Sequence, residues 1–182
     1  MNTQAPRAQY IDTVQVARLI RASLKESFPG TKFSVRSERY AGGSSINIGW
    51  TDGPTERQVE AISARFQGAS FDGMTDLKSY HQSILDGEPA RFMADFVFVR
   101  RRMTREYAQR CGERAAQRFG LDPSRWTLAG SDMMGWHPVG ETGDQFTDQA
   151  FGRHAASYPQ RNAVAQPSRT AARVQFADSR AA

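Results

Sequence analysis

The chain is nearly without cysteine and short of lysine and histidine, and each shortage removes a class of function. Cys111 is the one cysteine in 182 residues, which excludes an internal disulfide framework and a cysteine-built structural zinc site. The three histidines, His81, His137 and His154, leave few groups that could carry a proton near neutral pH. No stretch approaches the roughly 18 consecutive apolar residues of a membrane span, and mean hydropathy is −0.61. The opening MNTQAPRAQYIDT has no apolar signal core. A soluble cytoplasmic protein with no membrane partner is expected. Neither a Walker loop nor a dinucleotide fingerprint occurs, and no cofactor is expected.

What the chain does have is arginine. The formal net charge is +5 and the pI near 9.8, yet Lys25, Lys32 and Lys78 are the only lysines. Base composition of the gene can produce such a bias, but guanidinium also makes the bidentate contacts that suit phosphate and carboxylate. Arg100, Arg101 and Arg102 close an apolar stretch, and Arg105, Arg110, Arg114 and Arg118 follow. The last three recur every four residues and share one helical face. Arg18, Arg21 and Lys25 make a second stripe, with Arg36 and Arg39 on a strand as the bridge. This set is the candidate surface for nucleic acid or an acidic partner. Glu106 and Glu113 are placed to neutralise Arg110 and Arg114.

The pattern along the chain predicts an α+β fold. Residues 1–10 read as a flexible N-terminus. Val16, Ile20, Leu24 and Phe28 mark a helix capped by Asp12 and ended by Pro29-Gly30. Residues 32–39 and the run through Ile46, Ile48 and Trp50 alternate on either side of Ala41-Gly42-Gly43, predicting a hairpin with Trp50 facing the core. Thr55 and Gln58 form a capping box for a second helix ended by Gly68. Residues 69–90 read as irregular, and 91–99 as a central strand buried on both faces. Thr104 and Gly120 bound a third helix. The expected core, residues 11–120, is thus a small antiparallel sheet, a hairpin plus a central strand, packed against two to three helices in the order α-β-β-α-β-α. Residues 121–157 should be an irregular extension packed on it, and 158–182 a disordered tail.

Several smaller constellations have chemical readings. Gly42-Gly43-Ser44-Ser45 could present backbone N–H groups to an anion, although a plain hairpin turn accounts for it more simply. Tyr40, Tyr80 and Trp50 could stack bases where exposed. Asp72, Asp76 and His81 are the one carboxylate and imidazole set close in sequence, with turn closure as the competing role. Cys111 sits on the apolar face of its helix, where a buried thiol is inert.

RYAGGSSINIGWTDGPT and SFDGMTDLKSYH, with the flanking KFSVRSERY and ARFMADFVFVRR, resemble the large polyvalent-protein-associated domain 29 family from about Tyr10 to Arg102. The resemblance implies a small α+β domain from phages, plasmids or integrative elements, acting in a bacterial host cell, and assigns no catalytic residue. The expectation is a non-enzymatic protein that binds nucleic acid or a host nucleoprotein complex, in counter-defence of the anti-CRISPR kind. Alternatives are a protein-binding inhibitor without nucleic-acid affinity, or a metal-assisted DNA-processing enzyme using Asp72, Asp76 and His81. A homodimer through the sheet edge is a further expectation.

Overall fold

The structure, a computed structural model, describes residues 7–160 and 163–176. In chain order the elements are β1 (Gln9–Ile11), α1 (Thr13–Ser27), β2 (Ser34–Tyr40), β3 (Gly43–Thr51), α2 (Glu56–Ser63), β4 (Ala69–Asp72) and β5 (Leu77–Tyr80). Then come β6 (Ser83–Leu85), β7 (Glu88–Phe92), β8 (Phe96–Arg102), α3 (Arg105–Phe119), β9 (Trp126–Ser131), β10 (Gly135–Gly140), α4 (Gln145–Ala156), α5 (Arg169–Ala172) and β11 (Val174–Phe176). The class is α+β. The described chain divides into two compact units: residues 7–49, 56–100 and 165–176, and residues 50–55, 101–160 and 163–164.

In the first unit β1 is followed by α1, whose N-terminus is held by the Asp12 carboxylate accepting from the N–H groups of Val14 and Gln15. Its period-four face, Val16, Ile20 and Leu24, is fully buried, and the helix packs against β2, α2 and α5. Strands β2 and β3 pair as the expected hairpin, with Gly42 at φ +90 in the turn, and β8 lies along the other side of β3. Val35, Ile46 and Ile48 point inward from this sheet. A second sheet runs β1-β7-β6-β11, in which β1 and β7 are parallel.

Three expectations are corrected in this unit. The predicted central strand over 91–99 is two strands in two sheets, because residues 93–95 leave the ladder: Met93 N–H bonds Ile11 O, while Ala94 O and Asp95 O accept from Gly68 and Ala69. The middle strand of the hairpin sheet is β3, and β8 is an edge whose Phe98 is 54% exposed. Residues 69–90 are not irregular but hold β4 to β7, short strands secured by main-chain pairing and little by apolar pattern. Gly68 has a packing reason as well as a breaking one, since a Cβ there would stand 1.8 Å from Phe92 O.

In the second unit, Asp52 adopts φ 56 and its carboxylate accepts from the Thr104 N–H and hydroxyl, while Thr104 caps α3 through Tyr107 N–H. Gly120 ends the helix in the left-handed region at φ 64. Helix α3 lies on the β9–β10 hairpin and α4, burying Tyr107, Ala108, Cys111 and Ala115 with Phe151 and Ala155. Gly112 admits the Trp126 ring, which a Cβ would meet at 2.3 Å.

Residues 126–156 are therefore a hairpin and a helix where an irregular extension was expected, anchored by a few apolar residues placed far apart in sequence. The expected tail is corrected for residues 169–176. These form α5 and β11, with Ala171 and Val174 buried. The expected flexible lead is corrected at Gln9 and Tyr10, which pair with β7 as part of β1; its residues 1–6, and residues 161–162 and 177–182 of the expected tail, lie outside the described residues.

Candidate functional site

On α3 the exposed positions hold the candidate arginines together with Glu106, Gln109, Glu113 and Gln117. Arg110, Arg114 and Arg118 are exposed, and among the described residues none pairs with a carboxylate. Glu113 accepts instead from Gln109 Nε2 at 3.0 Å. The guanidinium of Arg114 lies 4.3 Å from the Tyr158 ring centroid, and that of Arg110 lies 5.7 Å from Tyr107. Cation–π contact of this sort holds an exposed guanidinium in place without neutralising it. Tyr107, Arg110, Cys111, Arg114, Tyr158 and Gln160 line an open cleft of about 400 Å³. Its floor is inert: burial pushes the Tyr107 phenol up to about 12 and raises the Cys111 thiol. What remains reactive toward a ligand is two fixed positive charges.

The first unit has its own polar centre, around the glycine turn. Lys78 Nζ lies 2.6 Å from Asp95 Oδ2, and Asp95 Oδ2 accepts from Ser44 N–H at 2.9 Å. Its hydrogen bond to Asp95 raises the Lys78 pKa. Lys78 also reaches Gly42 O and sits over the rings of Tyr80 and Phe96, at 5.2 and 5.8 Å. Tyr40 and Tyr80 are exposed as base stacking would require, whereas Trp50 is buried and donates to Pro54 O. The N–H of Ser44 is committed to Asp95, so the GGSS segment serves an internal carboxylate.

The remaining candidates divide between the units. Arg18, Lys25, Arg36, Arg39 and Arg100 are exposed on the first, where Arg21 donates to Val35 O at 2.8 Å. On the second, Arg102 donates to Met133 O and Arg105 covers Trp136. Arg101 has a structural job. It donates to the carbonyls of Asp52, Gly53, Ala156 and Tyr158 and covers the Tyr107 ring. Strand parity could have separated it, since Arg101 shares the Val97 and Val99 side of β8 while Arg100 and Arg102 do not.

Asp72, Asp76 and His81 do not form a ligand set. Asp72 closes the β4–β5 turn through Met74 N–H and Thr75 Oγ1, Asp76 holds φ 53, and His81 Nδ1 lies 3.2 Å from Gln67 O. Among the described residues no three of His, Cys, Asp and Glu come together as metal ligands.

The family model for large polyvalent protein associated domain 29 matches residues 11–106, more than half of the chain. The chain belongs to this family. Membership associates it with phage and mobile-element proteins. No curated protein and no solved structure matches the chain. The polyvalent-protein-associated region takes in the hairpin sheet and the Lys78–Asp95 centre but stops at the first turn of α3, so Arg110, Arg114 and Arg118 lie outside it.

Proposed function

We propose that this mobile-element protein acts by binding nucleic acid, without catalysis, through the exposed arginine row of α3. The observation that carries the reading is that Arg110 and Arg114 are fixed by tyrosine rings and left without a carboxylate partner among the described residues. A phosphate backbone supplies the repeated negative charge such a row complements, and guanidinium can meet each phosphate with two hydrogen bonds. In a mobile-element setting this contact would shield incoming nucleic acid or obstruct a host defence complex that handles it.

The test is a gel-shift titration of a short duplex at two salt concentrations. Three arginine–phosphate contacts release enough counterion to weaken binding roughly 40-fold between about 50 and 200 mM salt. Changing Arg110, Arg114 and Arg118 together to glutamate should abolish that binding and its salt dependence. A parent protein that does not bind at low salt, or a triple variant that binds like the parent, overturns the reading. In that case a partner recovered from nuclease-treated host lysate would favour an acidic protein ligand.

A further inference from the structure

The hairpin sheet of the first unit has a second face that the arginine row does not explain. In β2 and β3 the residues alternating with the buried Val35, Ile46 and Ile48 include Arg36, Glu38, Tyr40, Gly43 and Asn47, with Ser45 among them buried. On β8 the corresponding side holds Phe96, Phe98 and Arg100, with the two phenylalanine rings stacked at 6.1 Å and an interplanar angle of 24°. Gly43 is where the face closes up. A Cβ there would lie 2.6 Å from Asp95 Oδ2, 3.2 Å from Tyr40 Cε2 and 3.4 Å from Lys78 Nζ. Tyr40 and Lys78 therefore converge over the glycine, and Lys78 in turn carries Tyr80 and Phe96 on its flanks.

Burying rings normally stabilises a fold, yet Tyr40, Phe98 and Tyr80 keep 51, 54 and 61% of their surface in solvent. Two of the three are held: Lys78, pinned by Asp95, sits over Tyr80, and Phe98 is stacked on Phe96. Flat, pre-positioned and accessible rings beside Arg36 and Arg100 are what unpaired bases stack on. Paired bases in a duplex are already stacked on their neighbours and offer no free ring faces, so exposed rings favour single over double strands. Resting on the nucleic-acid reading above, we propose that this sheet face binds single-stranded nucleic acid by stacking bases on Phe98, Tyr40 and Tyr80.

Charge makes the proposal separable from the arginine row. Lys78 is neutralised by Asp95, and Glu38 stands on the same side of β2 as Arg36. Few uncompensated cations remain, so stacking dominates and the salt dependence is shallow.

The experiment is a fluorescence-anisotropy titration with labelled oligo-dT and, in parallel, a duplex. It compares the parent chain, Phe98→Leu, Tyr40→Ala and the triple arginine-to-glutamate variant, each checked for folding by thermal melt. Phe98→Leu keeps apolar packing and removes only the ring. The loss of one stacked base should weaken oligo-dT binding about 5- to 150-fold, leaving duplex binding within about two-fold. The triple variant should retain most oligo-dT binding. If the parent binds duplex but not oligo-dT, or Phe98→Leu binds oligo-dT like the parent, this proposal fails while the arginine reading stands. Binding to neither probe overturns both. A homodimer that Phe98→Leu dissociates assigns the face to a second copy and overturns the proposal.

Discussion

Glu26 should hold the α5–β11 segment in place, and replacing it should release that segment while the rest of the chain stays folded. Its carboxylate accepts from Ser168 Oγ at 2.7 Å, Thr170 N–H at 2.9 Å and Thr170 Oγ1 at 2.7 Å. The Ser168 hydroxyl at the same time accepts from Ala171 N–H, so α1 supplies the negative charge at the start of α5. These bonds hold the Glu26 pKa down at about 2, with the Thr170 backbone bond foremost. Hydrogen bonds to a charged group are worth about 1.5–3 kcal/mol when buried. These are part-buried and share one carboxylate, so a combined loss of about 2 kcal/mol is the reasonable total. That corresponds to a rise of roughly 30-fold in the open population of the segment.

Limited trypsin digestion reads it directly, because Arg169 and Arg173 lie within the segment. Glu26→Gln should be cut there about 30-fold faster than the parent at equal protease. The sign with pH follows from a depressed folded-state pKa: the stabilisation is complete above the unfolded value of about 4.5 and is lost as pH falls toward about 2. The hydrogen-exchange protection of residues 168–176, taken relative to the intrinsic rate at each pH, should therefore fall over that window in the parent and not in Glu26→Gln. Equal cleavage of both proteins would refute the reasoning.

Two further outcomes follow from the second unit. Arg101→Lys should cost about 2–3 kcal/mol in a urea melt, because one ammonium cannot span the four carbonyls that the guanidinium fork serves; its duplex affinity under native conditions should stay near that of the parent. Cys111 is 2% exposed and its thiol pKa is raised by burial, so a thiol reagent should label it slowly in native protein and rapidly in denaturant. Fast native labelling would contradict the packing of α3 on α4.

Local signals carried the parts of the fold that local chemistry determines. Asp12, Thr104 and Gly120 mark real helix ends because each satisfies backbone groups within a turn of itself. Trp50 was readable from its parity with Ile46 and Ile48. Strands β4 and β5 were not, since Ser70, Phe71, Leu77 and Tyr80 are exposed and the strands rest on main-chain bonds to each other. Helix α4 rests on Phe151 and Ala155, too sparse a pattern to declare itself. The α5–β11 segment depends on Glu26 and on β6, partners remote in sequence. Of the candidate site, the α3 row was visible from its spacing, but Tyr158, which holds Arg114, was not, because it comes from a different stretch of chain.

The order of synthesis acquires a meaning from β11. It pairs with β6, yet nearly the whole of the second unit is made between the two. Until those last residues emerge, β6 presents an unpaired edge and the carboxylate of Glu26 has nothing to cap. The family-matched region alone would be left in that unfinished state, so the N-terminal unit is completed by residues that its own family match does not contain.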